Sequence, residues 1–372
     1  SKEEIAINSQ TMLAYHAVAP ILLLGLSNGL YYYLSKQEHR RRAVLRESLL
    51  IITITSLIFA GFLLLGGNIV LARQFHNDAL CYTLYWMIPY ALALSASSVL
   101  SCIFVFENRL RFNAVYSVGQ TMITLLVVGT VTYLARNGTA MVVAYSVCGS
   151  LFALCSTVLV FRYVLPKSEE QGSRMRWSSM KALLAVSIPL GISSMVGTLS
   201  TNLDKLIISS MLTPAIYAVY TQGARELPLI GTITGAINTV MIVDLTKAAK
   251  DRDYKTAISL FHKTAEYTSM FLMPIMVFCL AAAPDIITFL YTDAYLDAVP
   301  VFRIYLLYMP IRVVLYGPLL IALGKSRFVL ARTILSLFFN AGLSYILVRF
   351  LGAEGAALAT IVSVYMIDIT LN

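Results

Sequence analysis

Apolar residues run along this chain in long blocks, separated by short stretches where lysine, arginine and glutamate gather. Eleven blocks lie near residues 12–35, 48–71, 81–106, 113–134, 140–165, 182–203, 216–243, 264–284, 299–323, 328–348 and 355–372. A helix rising ~1.5 Å per residue needs about 20 residues to cross a ~30 Å hydrocarbon core, and nearly every block has that length. The pattern predicts an all-α polytopic membrane protein whose last span is incomplete.

The connections alternate in charge. Residues 36–46, 107–112, 166–181, 244–263 and 324–332 together hold 19 of the 28 lysines and arginines. The opposite set holds six, Lys2, Arg73, Arg136, Lys205, Arg303 and Arg349. Basic loops stay on the cytoplasmic side, so the first set is expected there. Residues 166–181 then form a polar cytoplasmic linker between an N-lobe (1–165, five spans, with a first helix missing) and a C-lobe (182–372, six spans, the last truncated).

A weak internal repeat supports that division. LYWMIPYALALSASS and LLYMPIRVVLYGP set Pro89 opposite Pro310, and TVTYLARNG and GLSYILVRFLG set Arg136 opposite Arg349. The arrangement implied is a pair of parallel six-helix pseudo-repeats related by an axis along the membrane normal.

Composition agrees with a membrane solvent. The chain is 58% hydrophobic and 13% charged, with mean hydropathy +0.77, whereas a soluble domain carries about 25% charged residues. The net charge of +9 would suggest nucleic acid in a soluble protein. Here it resides in inter-span loops and reads as topology, so no nucleic-acid partner is expected. Five cysteines without CxxC spacing and four scattered histidines without HExxH give no metal site, and no cofactor is expected. GKS at 324–326 lacks the leading glycine of a phosphate loop, since Leu319 stands there. Asn137-Gly138-Thr139 is a glycosylation sequon by letters in a very short loop. DYKTAISLFHKT reads as an amphipathic interfacial helix or as an extension of the eighth block.

Charges at bilayer depth narrow the chemistry. Arg225 lies about 13 Å along the block that starts at Ile216, Arg312 is similarly deep, and Asp204 with Lys205 closes the sixth block. A central Arg or Asp disfavours insertion by about 2.5–3.5 kcal/mol, so such groups belong in a bundle interior or a wet cavity. The headgroup region would also accept Asp204 and Lys205, and Arg225, Glu226 and Arg312 would also serve as structural ion pairs. Gly223, Pro228, Gly231 and Gly235 around Arg225 mark a weakened helix, the setting in which membrane proteins build ligand sites. The N-lobe offers only polar candidates, Asn28 and the run Tyr31 to Tyr33, with Tyr32 at its centre.

Three stretches resemble a known family. SIPLGISSMVGTLSTNLDKLIISSMLTPAIYAVYTQGARELPLIG is similar to the seventh and eighth helices of the polysaccharide flippases, which export O-antigen and related lipid-linked oligosaccharides. LGAEGAALATIVS (351–363) resembles their link from eleventh to twelfth helix, and ILLLGLSNGLYYYLSK (21–36) their second. The family lies in the multidrug/oligosaccharidyl-lipid/polysaccharide (MOP) superfamily. The resemblance implies a MATE-like two-lobe bundle in the bacterial inner membrane. Such a protein is a transporter rather than an enzyme and carries an undecaprenyl-pyrophosphate glycan to the periplasmic leaflet by alternating access. Its partners would be the lipid-linked oligosaccharide, membrane lipids, H+ or Na+, and polysaccharide polymerase and chain-length proteins.

On that reading Arg225 and Arg312 pair with diphosphate oxygens. Asn202, Tyr220, Gln222 and Asn238, with Asn28 and Tyr32, bond sugar hydroxyls, while Asp204 or Glu226 exchanges the coupling ion. Three other readings stand beside it, one of them a structural membrane scaffold, which should carry no buried charges. A cation-coupled multidrug exporter should have a cavity richer in carboxylates than in arginines. A membrane-embedded glycan polymerase or ligase should carry a large polar outer loop, but the longest outer connection, PDIITFLYTDAYLDAVP, is short.

Overall fold

A computed structural model describes residues 2–26, 30, 41–106, 109–135, 137–164, 177–225, 230–231, 234, 237, 253–313 and 326–371. These residues are helical almost throughout, and among them no strand occurs. Seven stretches among them are long and apolar enough to cross a membrane: Ala43–Gln74, Arg111–Ala135, Gly138–Val160, Trp177–Met211, Lys255–Ala281, Asp293–Val313 and Ala331–Ile367. Their outward residues are those that water would reject. Leu65 is 91% and Phe350 80% exposed, and Val115, Leu125 and Leu126 face outward as well. Apolar surface on this scale is at home only against lipid.

The chain divides into two compact units, Ser1–Thr198 and Leu199–Asn372. The first contains α1 (Lys2–Leu23), α2 (Arg41–Phe62), a π-helical turn (Leu63–Gly67), α3 (Asn68–Gln74), α4 (Leu80–Phe106), α5 (Leu110–Ala135), α6 (Gly138–Val164) and the start of α7 (Trp177–Met211). Helix α4 is central, packed against α1, α2, α3 and α6. Its apolar face meets Leu45, Ile52 and Val160 through Val99, Leu100 and Ile103.

Because apolar side chains gain little by leaving lipid for one another, the helices are held by close packing and by polar cross-links. Thr11 and Thr83 hydroxyls pair at 2.8 Å, Gln10 Nε2 donates to the Phe75 carbonyl at 3.1 Å, and Asn77 Nδ2 donates to Gln10 Oε1 at 2.6 Å. Asn68 Nδ2 reaches the Cys81 carbonyl at 2.8 Å, and the Ser56 hydroxyl the Ala91 carbonyl at 3.1 Å. Many other hydroxyls donate to the carbonyl one turn back in their own helix, as in Ser48 to Val44 (2.8 Å) and Thr130 to Leu126 (2.7 Å).

The block at 12–35 is not one continuous helix. Helix α1 begins at Lys2 and stops at Leu23, where Leu24 and Gly25 take φ values of +45° and +69°. The turn lies against α7 at a backbone-to-backbone contact. A Cβ on Gly25 would fall 2.2 Å from the Ser187 carbonyl oxygen and 2.3 Å from the Gly191 nitrogen, and one on Gly191 2.7 Å from Gly25. Glycine at both positions is what lets the two segments touch.

The second unit contains the end of α7, α8 (Pro214–Gly223), α9 (Tyr254–Ala281), α10 (Ala283–Tyr291), a 3-10 turn (Asp293–Ala298), α11 (Val299–Leu306), α12 (Met309–Val313) and α13 (Ser326–Leu371). Helix α11 packs on α8, α9, α10 and α13. Four sequence blocks differ from expectation here. The block at 216–243 breaks after Gly223. The block at 299–323 breaks between α11 and α12, where Leu307 and Tyr308 close tight turns onto Ile304 (3.1 Å) and Tyr305 (3.0 Å). Pro310 has no amide proton to continue the α-helical ladder at that point. The blocks 328–348 and 355–372 join in α13 across a break at Gly352, φ 59° and ψ −133°, a conformation open to glycine.

DYKTAISLFHKT is the first part of α9, an extension of the eighth span rather than a separate interfacial helix. Asn137 of the sequon starts α6, its side-chain oxygen accepting the Thr139 amide at 2.8 Å, in the manner of a helix cap.

Candidate coupling and cargo site

Among the described residues a buried polar group lies in the second unit and begins at Asp204 on α7. Seven residues further on, α7 ends and the chain reverses through Thr213, which caps α8 by accepting the Ile216 amide at 3.4 Å, with Pro214 at the first helical position. The reversal brings α8 back along α7. Tyr217 and Tyr220, one turn apart, then share a buried face of α8.

Helix α11 closes the group. Gly223 lets it approach, since a Cβ there would sit 2.7 Å from the Ala298 carbonyl oxygen and 2.9 Å from Val301 Cβ. Tyr305 on α11 then meets Tyr220 edge-on, with ring centroids 6.3 Å apart and planes at 77°.

Both phenols converge on one carboxylate oxygen. The Tyr220 hydroxyl donates to Asp204 Oδ2 at 2.5 Å, Tyr305 donates to the same oxygen, and the two hydroxyl oxygens stand 3.0 Å apart. Asp204 is 4% exposed and Tyr220 fully buried. A carboxylate at this depth is tolerable only when its charge is met by donors, and two phenolic donors on one oxygen do that. Binding a proton at Oδ2 would turn a double acceptor into a donor and oblige one hydroxyl to turn away. The group therefore has two hydrogen-bonding arrangements, distinguished by a single proton.

The other sequence candidates are distributed around it. Arg225 is exposed and lies just beyond α8, outside any helix, because Ala224 leaves helical geometry at φ −80°, ψ 19°. It is therefore not mid-helix as the sequence suggested, and the break falls at the glycine-rich stretch. Arg312 is half-buried on α12 with its guanidinium 5.1 Å from the centroid of the Tyr308 ring, within cation–π range. Gln222 is buried, and its side-chain oxygen has no hydrogen-bond partner among the described residues. Asn202 is half-buried and its amide reaches Thr201 Oγ1 at 3.4 Å. Asn28, Tyr32, Glu226 and Asn238 lie outside the described residues.

Tyr220 is fully buried. Its hydroxyl is engaged by Asp204 and Tyr305. Tyr305 itself escaped sequence reading. It is one of 22 tyrosines, in an apolar run, 101 positions from Asp204, and no local spacing links the two. Among the described residues no group of three or more His, Cys, Asp or Glu is placed to hold a metal ion, and all five cysteines are free thiols.

The chain matches the family described as polysaccharide biosynthesis protein over residues 15–300. No curated protein sequence matches it. Its fold is similar to that of a multidrug resistance MATE family transporter of the MOP superfamily in an inward-facing conformation. That match has TM-score 0.84 and 14% identity, covering 99% of this chain and 89% of the other. Lipid II flippase MurJ, inward closed, matches with TM-score 0.80 and 15% identity over 99% of this chain and 80% of that one. A MOP superfamily transporter from Pyrococcus furiosus, described as having a binding pocket of reversed polarity, matches with TM-score 0.66 and 13% identity, covering 99% and 86%. The protein is thus a polytopic membrane member of the polysaccharide biosynthesis family, built on the fold of the MOP superfamily.

Proposed function

We propose that the protein is a flippase that moves a lipid-linked oligosaccharide, of the undecaprenyl-pyrophosphate glycan type, from the cytoplasmic to the periplasmic leaflet of a bacterial inner membrane. The observation that carries the reading is the conjunction, in one chain, of polysaccharide-family membership with a MOP transporter fold. Fold likeness at this identity does not separate a flippase from a drug exporter, and family membership favours the glycan. In this reading the chain works as two lobes alternating access. Residues 36–46, 107–112, 166–181, 244–263 and 324–332 face the cytoplasm, and polymerase and chain-length proteins act downstream.

The site residues divide by chemistry. Arg225 and Arg312 pair with the diphosphate of the cargo, since guanidinium offers a planar fork to phosphate oxygens. Gln222 and Asn202 bond sugar hydroxyls, joined by Asn28, Tyr32 and Asn238. Asp204 carries the coupling proton, with Tyr220 and Tyr305 as positioning residues, and Glu226 is a second carboxylate for the ion. Phenolic donors around Asp204 favour H+ over Na+, because both hydroxyls already spend a proton on the carboxylate instead of turning lone pairs toward a cation.

Complementation tests this. In a strain that makes the chain's own repeat unit but lacks its flippase, the wild-type protein is expected to restore surface polysaccharide. At matched expression, Arg225→Ala and Arg312→Ala should each lower it about tenfold or more, as loss of a charge-assisted contact of ~1.5–3 kcal/mol implies. Asp204→Asn should bind cargo but lose the response to an imposed pH gradient in proteoliposomes. Failure of the wild type to restore polysaccharide removes the flippase reading. Full restoration by both arginine variants removes only their role.

A further inference from the structure

Helix α9 carries a cationic face that neither the cargo nor the coupling group uses. Successive residues on a helix turn by about 100°. Ala257, Thr268, Leu272 and Cys279 therefore fall on one side, and all four are buried. Lys255, Ser259, His262, Lys263 and Glu266 fall on the opposite side, and all are exposed. With Ile258 and Tyr267 they line an open concavity of about 670 Å³. The same face continues through Met270 and Val277, both exposed and apolar.

Charge and depth are ordered along this face. The two lysines and the histidine occupy the first three turns, spread over about 12 Å with Ile258 among them, and the apolar track at Met270 begins two turns after Lys263. At the transition Lys263 Nζ stands 5.9 Å from the centroid of the Tyr267 ring. Tyr267 stands in the first turn of the apolar block at 264–284, where a tyrosine anchors near the headgroups, and the ammonium leaning over it is held close to that level. The result is a cationic shelf above an apolar track on the side of α9 that faces away from its own unit.

We infer that this face binds an anionic glycerophospholipid of the surrounding bilayer. Its headgroup phosphate meets Lys255, Lys263 and the His262 N–H, the Ser259 hydroxyl is within the same concavity, and an acyl chain lies along Met270 and Val277. Two ammonium groups against the single carboxylate of Glu266 favour a headgroup with net negative charge. A zwitterionic headgroup would bring its own cation against the lysines. A bilayer lipid is taken as the occupant because the basic residues continue into the exposed apolar Met270 and Val277, a headgroup-over-acyl-chain order, and the competition arm below separates it from the glycan carrier. The inference needs the protein to lie in a membrane and does not depend on what it transports.

Native mass spectrometry of the full-length protein in mild detergent, titrated with phosphatidylglycerol or phosphatidylethanolamine, tests the proposal. The wild type is expected to bind phosphatidylglycerol more tightly than phosphatidylethanolamine. Each basic residue near such a surface contributes about a fivefold factor. The Lys255→Gln/Lys263→Gln double variant should therefore bind phosphatidylglycerol roughly 25-fold more weakly, with phosphatidylethanolamine unchanged. Lys255→Arg/Lys263→Arg should keep most of the preference. Equal phosphatidylglycerol binding by the wild type and the glutamine variant would overturn the site. So would equal binding of both lipids by the wild type. Displacement of phosphatidylglycerol by a polyprenyl diphosphate at lower concentration than by phosphatidylglycerol itself would reassign the face to cargo and overturn the proposal. No arm requires transport, so a chain that flips nothing can still pass.

Discussion

A single buried oxygen, Asp204 Oδ2, receives the hydroxyls of Tyr220 and Tyr305. Hydrogen bonds to a charged acceptor contribute about 1.5–3 kcal/mol each, and two that share an acceptor do not act independently. Tyr220→Phe and Tyr305→Phe are therefore each expected to weaken the fold by about 2 kcal/mol, and the double variant by clearly more than their sum, since only then is the carboxylate left without a phenol. Denaturant unfolding in mixed micelles measures the cycle, and strict additivity would count against a shared acceptor. Asp204 was legible in the sequence because a carboxylate in an apolar run demands an explanation. Its partner Tyr305 was not, because a buried tyrosine and an interfacial one are written with the same letter, and only tertiary packing separates them.

Helices here are set as much by where they stop as by where they run. Hydropathy located the spans, since lipid selects length and apolarity. It missed the turn at Leu24 and Gly25, where no proline or charge interrupts the letters. Because the Gly25 and Gly191 backbones touch, Gly25→Ala and Gly191→Ala should each destabilise the first unit by about 3 kcal/mol through overpacking. Thermal aggregation of detergent-solubilised protein would report that as a lowered midpoint, while Gly61→Ala, with open space at its Cβ position, should leave it unchanged.

The start of α9 offers a pH test. Asp253 caps it, accepting the Thr256 amide at 3.1 Å and hydroxyl at 2.6 Å, and these bonds hold its carboxyl below the ordinary value of 3.8. The cap thus contributes fully above that value and fades as the pH falls through the lowered one. Hydrogen exchange at the Thr256 amide should accelerate on acidification, and Asp253→Asn should abolish that pH dependence.

For the whole molecule, the apolar outer surface places it in a bilayer, and loop charge predicts which side each connection faces. Single cysteines placed in a cysteine-free background report the sides directly. Arg109→Cys and Lys255→Cys are expected to react with an impermeant thiol reagent only from the cytoplasmic face, and Asp78→Cys and Asp293→Cys only from the opposite face. Labelling of all four from one side would contradict the assignment. The all-helical class was open to sequence reading because bilayer physics leaves few alternatives. Cargo chemistry was not, because arginines in apolar blocks such as Arg225 and Arg312 fit an anionic ligand and a structural ion pair equally well.

The hydroxyls that turn back onto their own helices have a consequence for biogenesis. Thr121 and Thr130 face outward, yet each gives its proton to a carbonyl four residues earlier, at 2.9 and 2.7 Å. Such a segment enters lipid from the translocation channel with its polar groups already internally satisfied. Serine and threonine can thus be scattered through these spans with little penalty at insertion. They form a reserve of donors that a small rotation of the helix, or a few substitutions, can redirect toward another partner.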